Sequence, residues 1–271
     1  MKIQYASDLH LEFSSNSKFV NTNGFLNPVG DIFLLAGDIV YLEDSQMESN
    51  PFFDWCSEHF RETIIVPGNH EYYMGMISRD NQRYGIPLED TLAGYEHMVR
   101  PNVRYLNNKS ILIGDTEVFA TTLWTVTDPS CYVGIQTCMN DCCQIRYNKH
   151  LLWADEYTEV HTICRDWLEK ALKKSTAKHK VVLTHHYPTV RKEFDVHKAG
   201  SGIYSAFHVD MVPFMKKHDI DCWIYGHTHQ KAGSGTVFPS RGKGTKLLCN
   251  QLGYVSCDEQ EDFMIDCYVE I

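Results

Sequence analysis

Short, continuously apolar runs recur along this chain, at residues 3–6, 32–36, 63–66, 110–113, 118–124, 181–184, 223–225, 246–250 and 263–271, with turn signals between them. In runs such as IFLLAG and KVVLTH the apolar residues do not alternate with polar ones. A strand tolerates this only where both of its faces are covered, as in an α/β protein with helices packed over its sheets. Helical spacing appears between some of the runs. It is clearest over 156–174, where Val160, Ile163, Cys164, Trp167, Leu168, Ala171 and Leu172 fall on one face. A second helix is expected from about 205 to 217. No repeat, low-complexity tract or Gly/Ser/Pro linker divides the 271 residues, so one domain over 1–271 is expected. The least patterned stretches, 74–108 and 127–153, read as excursions from the scaffold, and long loops in a compact domain often recognise a ligand.

Charge narrows the partners. With 35 acidic against 25 basic residues and a formal charge of -10, the chain has no electrostatic reason to bind nucleic acid over an extended surface. A small phosphoester in a locally positive pocket remains open to it. The N-terminal MKIQYASDLHLEF has no apolar signal core, and no apolar run approaches bilayer length. A cytoplasmic protein without a membrane partner is therefore expected. In that compartment the ten cysteines should be free thiols, and Cys222, Cys249 and Cys267 sit in apolar runs as small hydrophobes. The cluster Cys131, Cys138, Cys142 and Cys143 lacks the paired C-x2-C spacing of a zinc ribbon, and no metal is expected there. The sequence does not reveal the oligomeric state.

Five of the runs end alike. Tyr5-Ala6-Ser7 leads into Asp8-Leu9-His10, Leu35-Ala36 into Gly37-Asp38, and Val66-Pro67 into Gly68-Asn69-His70. Leu183-Thr184 leads into His185-His186, and Ile224-Tyr225 into Gly226-His227-Thr228-His229. In open α/β sheets ligands collect at the carboxyl ends of strands, where groups distant in sequence converge. Asp8 and His10 are two apart, as are His227 and His229, so in extended backbone each pair would point to one side. The glycines at 37, 68 and 226 suit sharp turns and close backbone approach. Carboxylates, an amide oxygen and neutral imidazoles are ligands for borderline divalent ions such as Mn, Fe or Zn. Seven candidate ligands exceed the four of a tetrahedral zinc site, which argues for two ions.

Asp8-x-His10, Gly37-Asp38, Gly68-Asn69-His70-Glu71, His185 and Gly226-His227-x-His229 resemble the five ordered motifs of the calcineurin-like metallophosphoesterases. YASDLHLEF, FLLAGDI, VPGNHEYY, TTLWT, VVLTHHYPT, IYGHTH and NQLGY extend the resemblance, to the small bacterial-type phosphoesterases of that family, as far as about residue 255. The resemblance implies a four-layer α/β/β/α sandwich of two mixed β-sheets flanked by helices, with a dinuclear site at the strand ends. By motif, Asp8, His10 and His229 would hold one ion and Asn69, His185 and His227 the other, with Asp38 bridging. His70 would be no ligand but the group that meets the phosphate and protonates the leaving oxygen. Two divalent ions, less two aspartates and a bridging hydroxide, leave a positive centre that attracts phosphate. Such a pair can acidify a shared water and clamp phosphoryl oxygens for in-line attack.

The expected activity is therefore metal-dependent hydrolysis of a small soluble phosphodiester or cyclic nucleotide. A phosphomonoesterase, a metal-dependent nuclease and a non-catalytic binding module on the same fold are the alternatives. Several residues stay open. Glu71 fits either an orienting partner of His70 or of a neighbouring group, or a solvated side chain, and His186 should face away from His185 in a strand. His197 and His208 read as loop histidines. Tyr72, Tyr73 and Trp124 fit a stacking platform and the core equally, and Leu252 stands where relatives often carry Pro.

Overall fold

The structure, a computed structural model, describes residues 1–22, 25–42, 45–73, 85–190, 202–230 and 234–271. One six-stranded sheet has at its centre the mutually parallel β1 (Lys2–Ala6), β2 (Ile32–Leu35), β3 (Thr63–Ile65) and β5 (Val103–Asn107). Its edges are antiparallel: β14 (Tyr268–Glu270) beside β1, and β4 (Tyr95–Arg100) beside β5. The second sheet repeats the plan. Its parallel centre is β13 (Thr245–Leu248), β11 (Cys222–Ile224), β10 (His179–Leu183) and β7 (Thr116–Ala120), and its antiparallel edges are β12 (Val237–Phe238) and β6 (Lys109–Ile113). The chain passes from one sheet to the other between β5 and β6, at Asn108, whose φ is 47°.

Strand alternation distributes the core. Ile32 and Leu34 of β2 join Ile3, Ile64, Val118, Val181, Leu183, Ile224 and Leu248 in a layer to which both sheets contribute. Phe33 and Leu35 point the other way, into the layer that holds Phe53, Cys56 and Tyr157 from flanking helices. On the outer side of the second sheet, Phe119, Val182, Trp223 and Leu247 pack with Leu168, Leu172 and Met215. Both faces of the central strands are thus covered, which explains their unbroken apolar runs. Each fully buried Ile, Leu or Phe in these layers contributes roughly 1.5–3 kcal/mol. The result is the four-layer sandwich with two mixed sheets and helices outside. Among the described residues no helix is long and apolar enough to cross a membrane.

The helix Glu156–Lys174 has the expected extent, but the helix expected over 205–217 is replaced by a 3-10 turn at Tyr204–Ala206 and a short helix Val212–Met215. Two features interrupt it. The Val209 N–H is committed to the Tyr187 carbonyl at 3.0 Å, and Pro213, which has no N–H to give, fits only in a first turn. Of the stretch 74–108, residues 74–84 lie outside the described residues, and the remainder is no mere excursion, since it contains β4, β5 and a helical turn, Glu89–Leu92. The stretch 127–153 folds into the short helices Tyr132–Cys138 and Asp141–Gln144 and a hairpin of β8 (Arg146–Tyr147) with β9 (His150–Leu151).

Candidate metal centre

All five polar run ends follow the carboxyl termini of parallel strands, β1, β2 and β3 in one sheet and β10 and β11 in the other. The backbone that delivers them is not extended. Asp8, His10, Asp38, His227 and His229 have φ values of 55°, 49°, 56°, 78° and 51°. The left-handed region is sparsely used by non-glycine residues and costs of order 1–3 kcal/mol each. Asp8 and His10 therefore converge because the chain coils after β1, not because strand alternation points them to one side, and the same holds for His227 and His229.

Hydrogen bonds hold the coils. Asp8 N–H donates to the Gly37 carbonyl at 3.0 Å, His10 N–H to the Asp38 carbonyl at 2.9 Å, and His229 N–H to Gln251 Oε1 at 2.7 Å. His70 N–H donates to Asp38 Oδ1 at 2.9 Å and His227 N–H to Asp8 Oδ1 at 3.0 Å. Packing leaves no room for side chains at the turns. A Cβ on Gly68 would stand 2.1 Å from Asp38 Oδ1, and one on Gly37, whose φ is 86°, 2.5 Å from His185 Nδ1. Glu71 does not face solvent, and what it orients is not the His70 ring but the neighbouring backbone. It is fully buried and accepts N–H bonds from Asp38 at 2.9 Å, Ile39 at 2.7 Å and Gly68 at 2.7 Å, tying the turns after β2 and β3 together. Burial raises its carboxyl to about 7 against the pull of those amides.

Two groups of side chains result, Asp8, His10, Asp38 and His229 on one side and Asp38, His185 and His227 on the other. Each has ligand atoms within 4.8 Å of one another, so each could hold a metal ion. Asn69 joins the second through Oδ1, 3.0 Å from His185 Nε2. Asp38 faces both: Oδ1 lies 3.4 Å from His185 Nε2 and Oδ2 lies 3.8 Å from His10 Nε2.

The protons fix the chemistry of these groups. His10 Nδ1 lies 3.0 Å from Glu12 Oε1, and His229 Nδ1 lies 2.7 Å from Glu259 Oε2. Carboxylates only accept, so each Nδ1 carries a proton, and in the neutral ring each Nε2 offers a lone pair. Those two lone pairs face each other at 3.0 Å. Likewise His185 Nδ1 donates to the Ala36 carbonyl at 2.8 Å and turns the lone pair of Nε2 toward Asp38 Oδ1. Burial, and then the charge of His70, lowers His10 to about 3, and burial holds His185 well below the usual histidine range, so both are neutral. Burial also raises the carboxyls of Asp8 and Asp38, and no Lys or Arg among the described residues forms an ion pair with either. Opposed lone pairs and buried carboxylates without a cation fit divalent metal ions.

His70 stands beside these groups. Its Nδ1 lies 2.8 Å from the same Glu12 Oε1, its ring stacks on Tyr73 with centroids 4.3 Å apart, and its Nε2 lies 3.3 Å from Tyr254 Oη. Burial opposes its charge, but Asp38 and Glu12 prevail and raise His70 to about 9. Burial opposes the charge of Glu12 too, and the two histidines overcome it, lowering its carboxyl to about 2. His10, Glu12 and His70 also lie close enough together to be a third potential ion group. We read them as a hydrogen-bonded triad, because the contacts of 2.8 and 3.0 Å are N–H···O lengths and His10 Nε2 is already turned to the first group.

Other expected residues fall outside. His186 is buried, bonded through Nδ1 to the Thr122 carbonyl at 3.2 Å, and belongs to neither group. His208 forms a β-bridge with Tyr187. His197 lies outside the described residues. Tyr72 and Trp124 are core, whereas Tyr73 lines the site. Leu252 is buried and holds no polar contact to the groups. Cys131 and Cys142 are buried, Cys138 and Cys143 are exposed, all ten cysteines are free, and none joins a potential ion group among the described residues.

Sequence reasoning missed Glu12, Glu259, Gln251, Tyr254 and Asp141. Only Glu12, two residues beyond His10, carried a spacing signal, since carboxylates often back metal-binding imidazoles.

The comparisons agree with this geometry. The calcineurin-like phosphoesterase family model matches residues 1–231. An uncharacterised protein of Acanthamoeba polyphaga mimivirus is 29% identical over 287 residues, covering 99% of this chain and 96% of its own length. The crystal structure of a phosphopantetheinyl hydrolase from Mycobacterium tuberculosis superposes with a TM-score of 0.65 at 16% identity, over 99% of this chain and 95% of the other. The chain, with its lone pairs and carboxylates gathered at the strand ends, belongs to the calcineurin-like phosphoesterases, metal-dependent hydrolases of phosphoester bonds.

Proposed function

We propose that the protein is a dinuclear metallophosphoesterase that hydrolyses a small soluble phosphodiester or cyclic nucleotide. The observation that carries this is the pairing of opposed imidazole lone pairs with a shared aspartate, whose two oxygens face the two groups. In this reading Asp8, His10 and His229 hold the first ion, Asn69, His185 and His227 hold the second, and Asp38 bridges them. Two divalent ions such as Mn, Fe or Zn, when bound, acidify water and neutralise phosphoryl charge.

The chain's own residues supply the rest. His70 keeps the proton on Nδ1 directed at Glu12 and presents Nε2 to the cavity, where it can protonate a leaving oxygen. Tyr254 lies on the same side and steadies that nitrogen. The cavity, about 840 Å³, is of a size for small ligands. One part of its wall carries Asp258, Glu259, Glu261 and Asp262, which repel a polyanion and favour a small substrate over nucleic acid. His70 and all seven expected ligands are present, which weighs against a binding module that has lost catalysis. We place the protein in the cytoplasm, in keeping with its free thiols.

The decisive experiment is chelation. Dialysis against EDTA should abolish hydrolysis of an artificial aryl phosphodiester, and Mn should restore it. Activity indifferent to chelation would sink the two-ion mechanism. Running the restored enzyme on an aryl phosphomonoester and a cyclic nucleotide separates the substrate classes.

A further inference from the structure

Asp141 comes from the stretch 127–153, as the first residue of the helix Asp141–Gln144, and is fully buried. No cation among the described residues forms an ion pair with it. Its contacts are all donors. Oδ1 accepts from Asn69 Nδ2 at 2.9 Å and from the Tyr73 hydroxyl at 2.5 Å, and Oδ2 accepts from the Tyr157 hydroxyl at 2.8 Å.

A carboxylate offers only lone pairs, so it decides which way the Asn69 amide faces. The NH2 must point at Asp141, and Oδ1 is then turned to His185 Nε2, 3.0 Å away. Reversed, the amide would set oxygen against carboxylate and place N–H groups where an ion belongs. Tyr73 extends the effect: its hydroxyl is held by Asp141 while its ring stacks on His70 at 4.3 Å.

We propose that Asp141 is a positioning residue for the second ion, locking the Asn69 amide with its oxygen toward the metal and, through Tyr73, steadying His70. The role rests on Asn69 being a ligand, as proposed above. A residue that only anchored this segment would not need a charge, because burying a carboxylate without a cation is costly. Divalent ions held beyond Asn69 would add to the positive charge of His70 on this side of the carboxylate. Partners behind a metal ligand commonly govern affinity to this degree.

The test is a metal titration on the full chain, with the affinities of both ions read by chelator competition. Asp141→Asn preserves the shape, and the Tyr157 hydroxyl, unlike the backbone N–H groups around Glu71, can turn to accept from the new NH2, so far-UV circular dichroism and the urea midpoint should stay near wild type. Affinity for the second ion should fall about 10–100-fold while the first is unchanged. In an Asn69→Ala background the same change should cost nothing further. Wild-type affinity in Asp141→Asn, or an undiminished loss in the Asn69→Ala background, overturns the role alone. If Asn69→Ala by itself binds the second ion as wild type does, the ligand assignment fails and takes this role with it. Should Asp141→Asn not fold, Tyr157→Phe carries the same cycle, since it takes the Oδ2 donor from Asp141 and leaves Asn69, whose NH2 also bonds the Tyr73 hydroxyl at 3.1 Å, untouched. A smaller loss that vanishes in the Asn69→Ala background supports the role; no loss, or one that persists there, overturns it.

Discussion

Glu12 shows how much one side chain can decide. Its Oε1 is shared by His10 Nδ1 and His70 Nδ1, so a single carboxylate sets the tautomer of a candidate ligand and of the candidate acid together. Glu12→Gln would leave both imidazoles a neutral amide oxygen in place of the charged one, or, with the amide reversed, set its NH2 against both Nδ1–H groups. We expect kcat to fall about 10–100-fold with little change in KM, measured on an aryl phosphodiester with saturating Mn. A variant with wild-type kcat would refute the shared role. His70→Ala should instead keep both ions, counted by elemental analysis, and lose about 10²–10⁴-fold in turnover. Loss of an ion from that variant would mean that His70 was misassigned. The residue types at the strand ends were legible because few structures need Asp, Asn and His there together. Asp141 was not, and Glu12 was only in its spacing from His10, since the contacts that give them their roles lie 72 and 58 residues away.

At the scale of elements, the turns after β2 and β3 are coupled by Glu71, which receives amides from both. Glu71→Gln keeps the volume but brings an NH2 against backbone N–H groups in a dry site. Measured at about pH 8.5, above the value of about 7 to which burial raises this carboxyl, we expect a loss of about 2–3 kcal/mol, seen as a lower urea midpoint at unchanged slope, because hydrogen bonds to a charged acceptor are the costly ones to lose. A midpoint within error of wild type would show that the turns stand without it. The central strands were readable from sequence because burial on both faces leaves an unbroken apolar run. β4 and β5 were not: YEHMVR is largely half-exposed, and VRYLN is interrupted by Arg104, which pairs with Glu62 and Glu96. The coils after β1 and β11 were also hidden. Spacing alone suggested an extended backbone, and only the tertiary hydrogen bonds reveal the left-handed one.

For the whole molecule, the expected ions and the fold stabilise each other. Asp8 and Asp38 are buried carboxyls with raised pKa values, so in the metal-free fold they take up protons more readily than in the unfolded chain. Their contribution to the metal-free fold is full below the usual aspartate value near 3.8 and is lost as pH rises through the raised one. An ion needs them ionised, so protons and metal compete for the same oxygens. The unfolded chain is common to both forms and cancels in the comparison. At a free Mn concentration about 100-fold above Kd, one ion should add about 2.7 kcal/mol. In a chain of this size that raises Tm by roughly 5–10 °C. The gap between Mn-loaded and EDTA-treated protein in thermal scans should be widest near pH 8 and should narrow toward pH 5.5. A gap that holds constant or widens as pH falls would mean that the ions do not bind through these two carboxylates.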